Sequence, residues 1–218
     1  MYIYFSRKVF DEVCIYFHPV ELLMFFDFPI SKSFFVESIV PKLKESLLQT
    51  LKHFMRLSGI IVHPLDSSRP YSRFVVGDSV SLTIAECMKD FNHLTGNHPR
   101  VADELYACVP NLPPATHSTD AVVFPVLAVQ VTLFPDHGIC LGFSNHHAIG
   151  DSSSIVPFMK AWASVNKFGI EAPLVILEKI YATRDLWYSS RFLVPLKCVP
   201  YTYNEVIEGV GIGWKCCV

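Results

Sequence analysis

Apolar and polar positions alternate along three stretches of the chain and recur at helical spacing along two others. Val80, Leu82 and Ile84 alternate with Ser79, Ser81 and Thr83, and Leu127, Val129, Val131 and Leu133 alternate with Ala128, Gln130 and Thr132. Ile139, Leu141 and Phe143 then alternate with Cys140, Gly142 and Ser144. A period of two sends successive side chains to opposite faces, so each run predicts a strand buried on one face. Pro135-Asp136-His137-Gly138 supplies turn chemistry between the last two runs and predicts a hairpin. Gly77-Asp78, between Phe74–Val76 and Val80–Ile84, predicts a second hairpin. From Ser31 to Arg56 the stripe Phe35, Ile39, Leu43, Leu47, Leu51 and Met55 predicts the clearest helix, with Lys42, Lys44, Glu45 and Lys52 on its other faces. Pro41 lacks an N–H and predicts a kink or restart there.

Residues 1–14 read as a lead-in. The apolar run from Ile15 to Phe28, broken at His18-Pro19, predicts one or two short strands. Pro110 to Asp120 predicts a loop, and Ile155, Met159, Trp162 and Asn166 recur as on a helix, with Trp162 in the core. Strands, hairpins and helices together predict an α/β domain, a mixed sheet with packed helices.

Composition narrows the function classes. A chain of 218 residues, 51% hydrophobic and 17% charged, holds a buried core rather than a disordered segment. A formal net charge of −2 leaves no electrostatic footprint for nucleic acid or an anionic membrane. The best apolar run, Ala121 to Pro135, is interrupted by Pro125 and Gln130 and falls short of the roughly 20 residues a membrane span needs. Arg7, Lys8, Asp11 and Glu12 interrupt any signal-peptide core, so the expected location is the cytoplasm. Seven cysteines, an odd number without framework spacing, are expected as reduced thiols.

The chemistry concentrates in Asn145-His146-His147-Ala148-Ile149-Gly150-Asp151, between the third strand and the second helix. A neutral imidazole at the end of a rigid strand can take a proton at neutral pH, which makes His147, four residues ahead of Asp151, the candidate general base. His146 is its neighbour, and adjacent residues on an extended segment point opposite ways, so only one of the two faces a given site. Gly150 permits a turn that bulkier residues resist. Ser144 and Asn145 are weak substrate-binding candidates that could equally end the strand. A metal site at His146, His147 and Asp151 lacks further ligands and is disfavoured. His98, His117 and His137 sit beside turn residues and are expected in solvent. No phosphate loop and no nucleophile elbow of a serine hydrolase is present.

His147-Ala148-Ile149-Gly150-Asp151 resembles the His-x-x-x-Asp hallmark of the plant BAHD acyl-CoA-dependent acyltransferases. The segments Val20–Pro29, Gly77-Asp78-Ser79-Val80, Asp90–Arg100 and Val129–Pro135 are similar to the same family. With Gly150-Asp151-Ser152-Ser153 they resemble the subgroup that malonylates anthocyanin and phenolic glucosides in plant secondary metabolism. The resemblance covers residues 15–169 and fades over 170–218, where Gly211–Lys215 only faintly echoes the family's Asp-Phe-Gly-Trp-Gly. It implies a chloramphenicol-acetyltransferase-like fold, with residues 15–169 as one of two domains flanking an active-site tunnel.

The resemblance further implies acyl transfer from CoA, as malonyl-CoA, to a hydroxyl of a phenolic glucoside, with acyl-CoA as co-substrate and no permanently bound cofactor. His147 is then the base. Asp151 is a structural residue that pairs with an Arg and faces away from the reacting atoms, rather than an orienting acid. The identities of donor and acceptor stay open. The alternative is a truncated, non-catalytic remnant. A chain lacking the second domain is expected to have little activity alone, and to associate through its exposed inter-domain face.

Overall fold

A computed structural model describes residues 3–5, 12–66, 69–75, 77–99, 101–149, 152–169, 203–207 and 210–217. The strands, in chain order, are β1 Ile3–Phe5, β2 Val20–Asp27, β3 Ile60–Pro64, β4 Tyr71–Phe74, β5 Val80–Cys87, β6 Thr116–His117, β7 Ala121–Pro125, β8 Leu127–Phe134, β9 Gly138–Asn145, β10 Tyr203–Ile207 and β11 Val210–Cys217. The α-helices are α1 Lys32–Phe34, α2 Val40–Leu51, α3 Met55–Ser58, α4 Phe91–Thr95 and α5 Ser152–Phe168. A five-stranded antiparallel sheet has the order β1-β4-β3-β7-β6, and a six-stranded mixed sheet has the order β10-β11-β5-β8-β9-β2.

The hairpin expected at Pro135–Gly138 joins β8 to β9, with Leu127 opposite Asn145 and Phe134 opposite Gly138. Asp136 turns it at φ 60°, a left-handed conformation that Asp tolerates better than most residues. The second expected hairpin does not form. Gly77, at φ 106°, and Asp78, whose carboxylate accepts the Val75 N–H at 2.7 Å, do make a turn. That turn carries the chain out of β4 in one sheet and into β5 in the other. Alternation could not distinguish the two outcomes, because β5 is covered on both faces and sits inside the larger sheet.

β8 is likewise buried at every position. Its Leu and Val face joins Leu82, Ile84, Phe143 and the helix residues Leu47, Ile155, Phe158 and Trp162 in the main core. Its Ala, Gln and Thr face is roofed by the 3-10 turns at 102–108, where Gln130 donates to the Ala107 carbonyl at 2.7 Å and to Thr132 Oγ1 at 2.9 Å. A strand with a polar-looking face is therefore interior because each polar group there finds a partner.

The long helix breaks where Pro41 predicts. A π-turn at Phe35–Ile39 separates α1 from α2, and Pro41 sits in the first turn of α2, where its missing N–H costs least. α2 packs on α5, and Trp162 Nε1 donates to Ser46 Oγ at 3.0 Å. The apolar run at 15–28 is a 3-10 turn, Glu12–Tyr16, followed by one strand, β2.

Under β9, Gly142 lies so close to the roof that a Cβ there would collide with the Cys108 carbonyl and come 2.8 Å from Pro110 Cδ. Gly142→Ala is therefore expected to lower stability by about 1–3 kcal/mol, since the obstacle is backbone held by its own hydrogen bonds. A urea midpoint equal to that of the parent protein would refute this.

The segment 203–217, for which the sequence suggested no element, forms two strands. β11 runs parallel to β5, from Val210 opposite Val80 to Cys217 opposite Cys87, and β10 closes the hairpin outside it.

Candidate functional site

β9 ends at Asn145 and the chain turns at once through His146, His147 and Ala148. Two other segments meet it there. Val126, between β7 and β8, is where the chain crosses from the five-stranded to the six-stranded sheet, and its carbonyl accepts the His146 N–H at 2.8 Å. The 3-10 turn ending at Tyr16 and the link Phe17-His18-Pro19 enter from the other side, ahead of Val20, the β2 partner of Asn145.

The two histidines occupy different environments. His146 is 6% exposed, with the Phe124 ring edge-on to it at 5.1 Å. Its Nδ1 accepts the Ala148 N–H at 3.2 Å, and its carbonyl accepts the Ile149 N–H at 3.1 Å. Burial lowers its pKa to about 4, the nearby His147 adds to that shift, and a hydrogen bond to the Ile15 backbone opposes it. His146 is thus a neutral interior group at physiological pH.

His147 is half-buried, and the Phe17 ring stands edge-on to it, centroids 5.4 Å apart and planes at 84°. Its Nδ1 is enclosed and has no hydrogen-bond partner among the described residues. No carboxylate among the described residues bonds that nitrogen. Gly150 and Asp151, and with them the expected turn and ion pair, lie outside the described residues.

Ser144 and Asn145 are fully buried at the strand end, where Asn145 Nδ2 donates to the His146 carbonyl at 3.3 Å. They form the frame beneath the histidines. His98, His117 and His137 are exposed. Cys87, Cys108 and Cys140 are buried together among Phe91 and Phe134, on the roofed face of the sheet. Hydrogen bonds with Cys140 and Cys87, reinforced by burial, push the Cys108 thiol far up, so it stays protonated and is no nucleophile. Among the described residues no three His, Cys, Asp or Glu side chains converge as metal ligands would, and no helix is long and apolar enough to cross a membrane.

Sequence reasoning missed Phe17. Its only trace was an aromatic pair, Tyr16-Phe17, on a segment 130 residues from the motif, and no local period reports such a contact.

The model of the Transferase family matches residues 9–191. The chain belongs to the BAHD acyltransferase family. Among the relatives of this BAHD chain is the malonyl-coenzyme:anthocyanin 5-O-glucoside-6'''-O-malonyltransferase of Salvia splendens, 46% identical over 161 residues, or 73% of this chain and 35% of that protein. Phenolic glucoside malonyltransferase 1 of Nicotiana tabacum is 47% identical over 161 residues, covering 73% and 36%. The BAHD chain thus spans about a third of the length of the curated relatives it matches. The crystal structure of F. sporotrichioides TRI101 complexed with coenzyme A and T-2 shares the fold, with a TM-score of 0.50 at 16% identity over 89% of this chain and 46% of that one. The mixed α/β architecture is that of BAHD and chloramphenicol-acetyltransferase-like domains.

Proposed function

We propose that this BAHD chain serves transfer of an acyl group, malonyl above all, from a CoA thioester to a sugar hydroxyl of a phenolic or anthocyanin glucoside. The observation that carries this reading is identity of 46% and 47% to two glucoside malonyltransferases, over 161 residues in each case.

His147 is the general base. With Nδ1 enclosed, Nε2 is the nitrogen left to meet the acceptor. An alcohol is a poor nucleophile until its proton leaves, and a neutral imidazole within hydrogen-bond reach can take it. The hydroxyl oxygen then bonds to the thioester carbonyl carbon as its proton passes to Nε2. The tetrahedral intermediate collapses with cleavage of the C–S bond. The CoA sulfur leaves with the electron pair, and the imidazolium returns the proton to it. No covalent enzyme intermediate is needed, in keeping with the inert buried thiols.

Phe17, 49% exposed beside the imidazole, offers an aromatic wall against which the acceptor ring or the apolar face of its sugar packs. Phe17→Ala is expected to raise the acceptor KM by about 3–10-fold, the ~0.5–1.5 kcal/mol of an aromatic contact, with the KM for acyl-CoA unmoved. Equal rises in both constants would contradict that placement.

The direct test is incubation of the protein with malonyl-CoA and an anthocyanin or phenolic glucoside, following free thiol and the malonylated product. Turnover that depends on His147 supports the reading. Turnover undiminished in His147→Ala defeats it.

A further inference from the structure

We propose that His146 is the positioning residue of this site, a side chain that locks the His147 turn and the Phe17 segment into one arrangement. The inference rests on His147 as the base and adds what holds that base in place.

Besides the Asn145 amide on its carbonyl, four hydrogen bonds converge on His146. Its N–H donates to the Val126 carbonyl at 2.8 Å, fixing the residue to the crossing between the two sheets. Its carbonyl accepts the Ile149 N–H at 3.1 Å, and its Nδ1 accepts the Ala148 N–H at 3.2 Å, so both bonds close over the intervening His147. The fourth joins the ring to the Ile15 backbone. The Ala148 N–H can only donate, so Nδ1 is the acceptor and in the neutral ring Nε2 carries the proton.

Ile15 lies two residues before Phe17, whose ring meets His147 edge-on. One buried imidazole therefore grips the base on one side, through Ala148, and the aromatic wall on the other, through Ile15. His147 itself lacks an Nδ1 partner among the described residues. Among the described residues its backbone and Phe17 are what orient it, and His146 is bonded next to both. Another small polar residue could fill this corner, but few could present an acceptor at one ring nitrogen and a donor at the other. Asn places its amide oxygen near the Nδ1 position, while Gln places its amide nitrogen near Nε2.

The test is ¹⁵N NMR of the whole chain with labelled histidine and backbone. In the unsubstituted protein, His146 should be protonated at Nε2 only, with a through-bond coupling between its Nδ1 and the Ala148 amide nitrogen. Protonation at Nδ1 instead, or absence of that coupling, overturns the proposal without any variant having to fold. His146→Asn is expected to keep the Ala148 amide protected from exchange but to lose the ring-current displacement of the His147 ring protons, down to the value seen in Phe17→Leu. His146→Gln is expected to lose protection at Ala148. Folded variants with His147 resonances and Ala148 protection as in the parent protein would also overturn it. None of these measurements uses turnover, so their failure leaves the role of His147 to its own assay, and failure of that assay leaves these results intact.

Discussion

His147→Ala is expected to lower acyl transfer to a glucoside by about 10²–10⁴-fold, the usual worth of a positioned general base. At ~1.4 kcal/mol per tenfold, that is a loss of roughly 3–5 kcal/mol of transition-state stabilisation. The loss should fall on kcat, because proton removal matters only as the new C–O bond forms. Stability should hardly change. The ring is half-buried, its Nδ1 has no partner among the described residues, and the Phe17 ring that meets it is itself half-exposed. Removing it leaves no orphaned hydrogen bond there and only a small void beside solvent. A variant with parental activity, or one that lost activity only by unfolding, would show that the base lies elsewhere. The measurement is steady-state thiol release beside a urea titration of the same preparation.

The protein is expected to lose stability in mild acid, and His146 is the reason. In the folded chain burial lowers this imidazole to about 4, against an ordinary value of ~6.5 in the unfolded chain. The neighbouring His147 pushes the same way. Between these two values the unfolded chain binds a proton that the folded chain refuses, so stability rises with pH across the window. The full contribution is present above ~6.5 and is lost as pH falls through about 4. At ~1.36 kcal/mol per pKa unit the loss has a ceiling on the order of 3 kcal/mol, about three-fifths of it already gone at pH 5 before most carboxylates titrate. Urea midpoints between pH 7.5 and 5 read it directly. His146→Asn, which cannot titrate, should flatten that slope even though it lowers the starting stability. An unchanged slope in that variant would place the acid sensitivity on another group.

Where the sequence was legible, a single physical period set the outcome. The hairpin of β8 and β9 rests on alternation plus a turn that Asp136 can enter at positive φ, and both are local properties. The long helix, and its interruption at Pro41, rest on the 3.6-residue stripe and a missing N–H, which are also local. The contrast between the histidines was half legible. Adjacent residues on an extended segment must diverge, but which one enters the interior depended on Val126 and Ile15 standing ready to bond His146. The false hairpin at Gly77-Asp78 shows the opposite case. The turn was read correctly, yet whether the strand beyond it folds back or departs to another sheet depends on what else pairs with it, here β8 and β11.

The sequence by itself determined the β8–β9 hairpin, the interrupted helix, the turn chemistry and the motif at the end of β9, because each is encoded within a few consecutive residues. Only the tertiary structure decided that β5 and β8 are roofed on both faces, that residues 210–217 pair with β5, and that Phe17 stands against His147. Those facts join residues tens to more than a hundred positions apart. Such contacts arise from the closing of sheets and the burial of both their faces, which no local period records.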